Sequence, residues 1–210
     1  MTSTNNCYQA SLDLQLSDHF FKTKIEGLFF FQSPKLNDER GFFSQLLIMP
    51  ELEQIIQKPF NIKQINHARS QANVTRGFHA ESWNKLVTVT SGLAFSAVVD
   101  LRPDSPAYKQ VECFLLGYDH QPEQGTGLYI SKGLGNSICV LEGPLSYIYL
   151  VDQLYSNRTK GDDQAISLFD EQLAIEWPIA KEEMILSERD KKAISLREYE
   201  ALINNRACFS

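Results

Sequence analysis

Along most of this chain, apolar and polar positions alternate with a period of two, and β-branched or aromatic residues cluster in short runs. Nine such runs read as strands: "IEGLFFFQ", "GFFSQLLI", "NIKQINHARS", "KLVTVTSG", "LAFSAVVDLR", "YKQVECFLLG", "GLYISK", "NSICVLEG" and "LSYIYLVDQLY". Clusters of turn formers separate them, namely "NDERG", "TSG", "RPDSP", "EQGTG", "KGLGN" and "EGP". Only two stretches carry helical signals. "MPELEQIIQKP" has a proline near its start and another that ends it, and "SLREYEALINN" opens on Ser195 as an N-cap. The first 24 residues are polar and mixed, and read as an extension with one short helix at most. Residues 25–210 then form a single domain. Short strands spaced by roughly ten residues predict a mainly β fold, a jelly-roll β-sandwich or barrel, rather than alternating strands and helices.

Composition narrows the function classes. The chain has 210 residues, 43% hydrophobic and 22% charged, with net charge −6. That balance suits a globular domain and gives no electrostatic footprint for nucleic acid. No apolar run approaches the ~20 residues that span a bilayer, so no membrane partner is expected. The start of the chain lacks a basic segment followed by an apolar block. Cys7, Cys113, Cys139 and Cys208 are far apart and form no CxxC pair. They read as reduced thiols of a cytoplasmic protein, two of them in core strands. No GxGxxG or GxxxxGK[ST] follows a strand, so no helix start is built to cradle phosphate. Function must come from side chains at the mouth of the β-barrel.

The candidate chemistry is concentrated in "GFHAESWNKLV", from Gly77 to Val87. His79 could ligate a metal, act as a base or fill the core. A metal site would need a second histidine close by, and position 81 is a glutamate, so no metal is expected. His19 and His120 lie in polar stretches and read as solvated. Arg76 and His79 fall on opposite faces of a regular strand, and Gly77 is the natural place for a bend that would bring them together. Several cationic side chains near one barrel mouth would suit a phosphate-bearing ligand. Glu81 reads as a strand-edge charge.

An ordered series of motifs carries more. "NDERGFF", "QINHARS", "RGFHAE", "KLVTVTSG", "VVDLRPDSP", "YISKGLGNSICVL", "YLVDQLYS", "LAIEWP" and "LSERD" resemble, in order and spacing, the dTDP-4-dehydrorhamnose 3,5-epimerase family of sugar-nucleotide epimerases. The resemblance runs from about Glu26 to Leu196. It implies a cupin-type jelly roll, a homodimer and no cofactor. The implied partner is a nucleotide-linked 4-ketosugar, dTDP-linked by default, inverted at carbons beside the ketone. That chemistry needs a base on one face, an acid on the other and a donor for the enolate oxygen. By the resemblance His79 is the base, Asp190 its carboxylate partner, Tyr149 the acid and Lys85 the donor at the keto oxygen. Tyr147 is a close neighbour on the same strand face; Tyr149 is preferred because it lies six residues before Tyr155, the spacing of the family's two tyrosines. Arg40, Gln45, Gln64, Asn66, Arg76, Asn136, Tyr155 and Arg189 are the implied substrate-binding residues, and Arg40 would serve the neighbouring subunit's site. Tyr155 and Trp177 are candidates for stacking on base or sugar, or for packing.

The pattern also departs from the family. Asn136 stands where the family has a histidine and Ser96 where it has an aspartate, so a charged pair is lost together. Gln45 and Lys160 replace glutamates, and the loop in "HAESWNK" is short. An epimerase with changed selectivity is the resulting expectation. Its rivals are a 3,4-ketoisomerase on a similar ketosugar and a catalytically silent sugar-nucleotide-binding protein.

Overall fold

The computed structural model describes residues 6–117, 124–159 and 163–207. His120, Lys160 and Cys208 lie outside the described residues. Ten strands form one continuous hydrogen-bonded system: β1 (Phe20–Lys22), β2 (Leu28–Asp38), β3 (Gly41–Ser44), β4 (Gln64–Ser70), β5 (Thr75–Glu81), β6 (Lys85–Asp100), β7 (Val111–Gly117), β8 (Gln124–Ile130), β9 (Leu134–Val151) and β10 (Asp163–Ala165). The α-helices are α1 (Met49–Ile56), α2 (Glu188–Lys191) and α3 (Leu196–Ala207).

Two long strands make the sandwich. The first half of β6 pairs with the last third of β9 (Lys85 opposite Val151), and its second half pairs with the start of β9 (Asp100 opposite Leu134). One layer is therefore β10–β5–β9–β6–β7, built on the outer ends of that pair. The other is β4–β9–β6–β8–β2, with β3 and β1 on β2. The sequence reading put turns at "TSG" and "EGP"; the chain instead bends there while the ladder continues. At Gly92 the bend needs φ +84, and a Cβ would stand 2.5 Å from the Glu142 carbonyl oxygen, so only glycine fits. The two apolar runs on either side of Gly92 are therefore one strand with both faces buried over most of its length.

Three apolar clusters follow from this arrangement. Between the layers lie Val87, Val89, Val98, Phe114, Leu128, Ile138 and Val140, with Phe30 and Leu116. On the outside of the β5–β9–β6 layer, the segment after β10 packs Ile166, Leu168, Met184 and Leu196 onto Phe78, Phe95, Val99 and Cys139. On the outside of the other layer, α1 sets Leu52 against Phe20, Phe31, Leu86 and Tyr129. Both predicted helices form. Ser195 caps α3 through a reciprocal pair, with Glu198 N–H donating to Ser195 Oγ at 3.2 Å and Ser195 N–H to Glu198 Oε2 at 2.7 Å. His19 departs from the solvated reading: its Nδ1 lies 2.8 Å from Glu51 Oε2, tying the approach to β1 onto α1. This matches the mainly β sandwich the alternation predicts and the cupin-type jelly roll the family resemblance implies. Strands β1, β5 and β10 were not among the predicted runs.

Candidate active site

The site begins with a local irregularity in β5. Arg76 sits opposite Ile138 on β9, yet His79 sits opposite Asn136, so three residues of β5 face two of β9. This bulge resets parity and puts Arg76, His79 and Glu81 on one face. Gly77 makes it possible, with φ +107 and no room for a Cβ, which would lie 2.5 Å from the Asn136 carbonyl oxygen. Phe78 and Ala80 consequently join the outer cluster, while His79 and Glu81 point between the layers.

His79 Nε2 lies 2.8 Å from Asp190 Oδ1. Asp190 is buried, although two lysines follow it in sequence. It sits in the four-residue α2, where Ser187 caps the turn and its hydroxyl donates to Asp190 Oδ2 at 2.8 Å. Burial alone would push the Asp190 carboxyl up. The hydrogen bonds from His79 and Ser187, with the Arg189 charge, outweigh it and hold the group below the usual carboxylate range. A carboxylate thus stays ionised behind the imidazole, fixing its tautomer and orientation.

Facing His79 from the other layer are Lys85 on β6 and Tyr147 and Tyr149 on β9. The register places Val87 opposite Tyr149 and Val89 opposite Tyr147, so all these side chains and Lys85 share one face. Lys85 is almost fully buried, and its Nζ donates to Asn136 Oδ1 at 3.0 Å across the gap between layers. The same ammonium is in ion-pair contact with Glu81. Burying an ammonium without a counter-charge costs several kcal/mol, and the Glu81 carboxylate supplies that counter-charge. Glu81 is thus a pocket residue, correcting the strand-edge reading. Alternation from His79 alone places Glu81 on the same face, a signal the sequence offered.

Asn136 Oδ1 accepts from Lys85, and its amide lies near the Tyr147 hydroxyl, which it pulls down slightly against the larger effect of burial. Tyr147 is buried, and its ring centroid lies 5.6 Å from that of Tyr149. The more open Tyr149 has the Lys85 ammonium 5.7 Å from its ring centre. Burial and the Glu81 charge push both tyrosine hydroxyls upward, with Arg76 partly opposing, so each is a neutral proton donor near neutral pH. Ser96, also buried, donates to the Ser137 carbonyl oxygen at 2.8 Å.

The other expected residues divide by location. Gln64 and Asn66 lie on β4, with Asn66 directly opposite Tyr149, and Gln64 donates to Asn66 Oδ1 at 2.6 Å. Tyr155 is fixed by its N–H donating to Gln64 Oε1 at 3.1 Å, and Arg158 stacks 3.8 Å from its ring centre. Arg76 is exposed at the rim, donating to Ser70 Oγ at 3.2 Å. Arg189 pairs with Asp163, which sits opposite Glu81 on β10 and also meets Arg158. Sequence reasoning did not single out Asp163; it comes beside Glu81 only through β10 pairing. Arg40 and Gln45 are not brought here. They flank β3, Arg40 just before it and Gln45 just after it, at the far end of the layer from β4, and the exposed Arg40 guanidinium pairs with Asp38. Trp177 is a packing residue: its Nε1 donates to the Leu168 carbonyl oxygen at 3.0 Å and its ring abuts Phe78 and Phe95 on the outer face. No group of three or more His, Cys, Asp or Glu side chains among the described residues could hold a metal ion.

A buried His–Asp pair, facing an ammonium and two tyrosines across a β-sandwich, can take a proton from one side of a carbon and return one from the other. The sequence model of dTDP-4-dehydrorhamnose 3,5-epimerase matches residues 22–198. The chain belongs to that family. Its members are isomerases, and so is this epimerase-family chain. Escherichia coli K12 dTDP-4-dehydrorhamnose 3,5-epimerase is 32% identical over 181 residues, covering 84% of this chain and 94% of that enzyme. Streptomyces niveus dTDP-4-dehydrorhamnose 3-epimerase is 30% identical over 178 residues, covering 83% and 82%. The crystal structure of Legionella pneumophila dTDP-6-deoxy-D-glucose-3,5-epimerase, in complex with dTDP-4-keto-L-rhamnose, aligns with TM-score 0.76 at 29% identity, covering 85% of this chain and 92% of that one. The relatives thus include both a double and a single epimerase.

Proposed function

We propose that this protein is a cofactor-independent sugar-nucleotide epimerase that inverts C3, C5 or both in a dTDP-linked 4-keto-6-deoxyhexose, for deoxysugar biosynthesis in the cytoplasm. The observation that carries the reading is the opposed arrangement of His79–Asp190 on one layer and Lys85 with Tyr149 on the other. His79 removes the proton beside the ketone, and Asp190 stabilises the imidazolium. Lys85 meets the charge that develops on the keto oxygen. Tyr149 returns a proton to the opposite face, which is what inverts the centre. Gln64, Asn66, Arg76, Asn136, Tyr155 and Arg189 lie around this pocket and bind the sugar nucleotide, Arg76 at the phosphates. The test is incubation with dTDP-4-keto-6-deoxyglucose in D₂O, read by proton NMR. Deuterium enters at C3, C5 or both; no exchange with any of several 4-ketosugar nucleotides sinks the reading.

The protein acts as a homodimer. Leu36, Phe42 and Phe43 of the β2–β3 hairpin are 66%, 52% and 62% exposed, and Ile65 on edge strand β4 is 65% exposed. Apolar surface exposed at both edges of this layer suits a symmetric partner. A second copy laid on it would bring its own Arg40 and Gln45 toward the pocket, which they do not reach within one chain. Phe43→Asp is expected to convert the dimer to a monomer in light scattering and to lower kcat/KM at least tenfold. A dimer retained in Phe43→Asp would place the interface elsewhere.

A further inference from the structure

We propose that Glu81 is a positioning residue, which pairs with the Lys85 ammonium and aims its last free N–H at the substrate's keto oxygen. This deepens the epimerase reading and rests on it for the catalytic consequence alone. An ammonium has three donors in tetrahedral array. Glu81 takes one and Asn136 Oδ1 takes another, from β5 and β9 respectively. Two fixed partners set the direction of the third, and among the described residues no hydrogen bond uses it. The Tyr149 ring closes one side, so the third donor is left for a ligand oxygen beside the tyrosine that supplies the proton.

The surroundings make Glu81 the deciding charge. Facing Lys85 are Glu81, His79 and Arg76 from β5, Tyr147 and Tyr149 from β9, and Asn136. Asp190 stands behind His79, and Asp163 of β10 lies beside Glu81, already paired with Arg189 and Arg158. Glu81 is the carboxylate in ion-pair contact with Lys85. Without it, an ammonium in this interior would have no counter-charge in contact. Asn136, a neutral amide, can orient Lys85 but cannot replace that charge.

Glu81→Gln is nearly isosteric and keeps an acceptor, so it separates charge from packing. The first readout does not depend on turnover: reductive methylation with formaldehyde and a borohydride at pH 8, quantified at Lys85 against exposed Lys132 by peptide mass spectrometry. An amine held in an ion pair and a hydrogen bond reacts slowly, so Lys85 is expected to label at least tenfold faster in Glu81→Gln than in the wild type. Unchanged labelling overturns the proposal, including when thermal stability falls. The second readout is kinetic. Glu81→Gln is expected to lower kcat at least tenfold and to leave dTDP affinity within twofold. Wild-type kcat would overturn it. Were the wild type to exchange no substrate, the epimerase reading would fail, and the labelling would still decide what Glu81 does.

Discussion

His79→Ala is expected to abolish exchange of substrate protons with D₂O, lowering the rate by about 10²–10⁴, the range a positioned general base contributes. The size of the effect follows from what remains when the imidazole is gone. Asp190 is too deeply set to replace it: the buried carboxylate lies behind the imidazole and is engaged by Ser187. Glu81 and Asp163 share the face of His79, and they are engaged by Lys85 and by Arg189 with Arg158. None of the three is free to abstract a proton from a carbon acid. Binding of dTDP should be unchanged within about twofold, because the phosphate-facing groups at the rim are untouched, so the loss should fall on kcat rather than on ground-state binding. Full activity in His79→Ala would refute the base assignment outright. The matching control is Asp190→Asn, whose amide would present its N–H or its oxygen to the ring without charge and so should lower exchange less than His79→Ala.

Which parts of this site could be read in the sequence depended on the geometry behind each residue. Period-two alternation was enough for the β architecture, and the glycine in "TRGFHAE" pointed to the bend that brings Arg76 and His79 to one face. The strand around it was missed because the bulge at Gly77 breaks the alternation on which strand prediction depends. "TSG" and "EGP" look like turns because Gly and Pro mark bends; that the ladder runs on through them is set by pairing with a distant strand. Asp190 has no local signal, since two lysines follow it and only the cap at Ser187 and the packing of the preceding segment bury it. Its place in the argument came from the ordered motifs. Arg40 shows the opposite limit: its motif position is clear, but within one chain it is exposed beside Asp38 and far from the pocket. Glu81 was legible by parity and was overlooked because a lone acidic residue beside a turn is usually solvated.

Tyr149→Phe is expected to separate exchange from inversion. The base and the enolate donor both survive this change, so the proton beside the ketone should still leave and return on the His79 side, and deuterium should still enter the substrate. What is lost is the donor on the opposite face, so formation of inverted product should fall by about 10²–10³ while exchange falls much less. The complication is Tyr147, whose ring lies 5.6 Å from that of Tyr149 on the same strand face. Two observations favour Tyr149. Tyr147 is the more deeply buried, and its hydroxyl is pushed furthest up by burial, which makes it the weaker acid. Tyr149 faces Asn66 on β4 and the Lys85 ammonium, so its hydroxyl lies where the substrate ring must enter. Tyr147→Phe should therefore keep inversion within about tenfold of the wild type, since a phenolic partner lost from one amide is worth about one ordinary hydrogen bond. The opposite ranking, with inversion lost in Tyr147→Phe and kept in Tyr149→Phe, would move the acid one step deeper into the barrel. Asn136, which touches both Lys85 and Tyr147, would then be part of the proton-transfer route and not only a neutral brace.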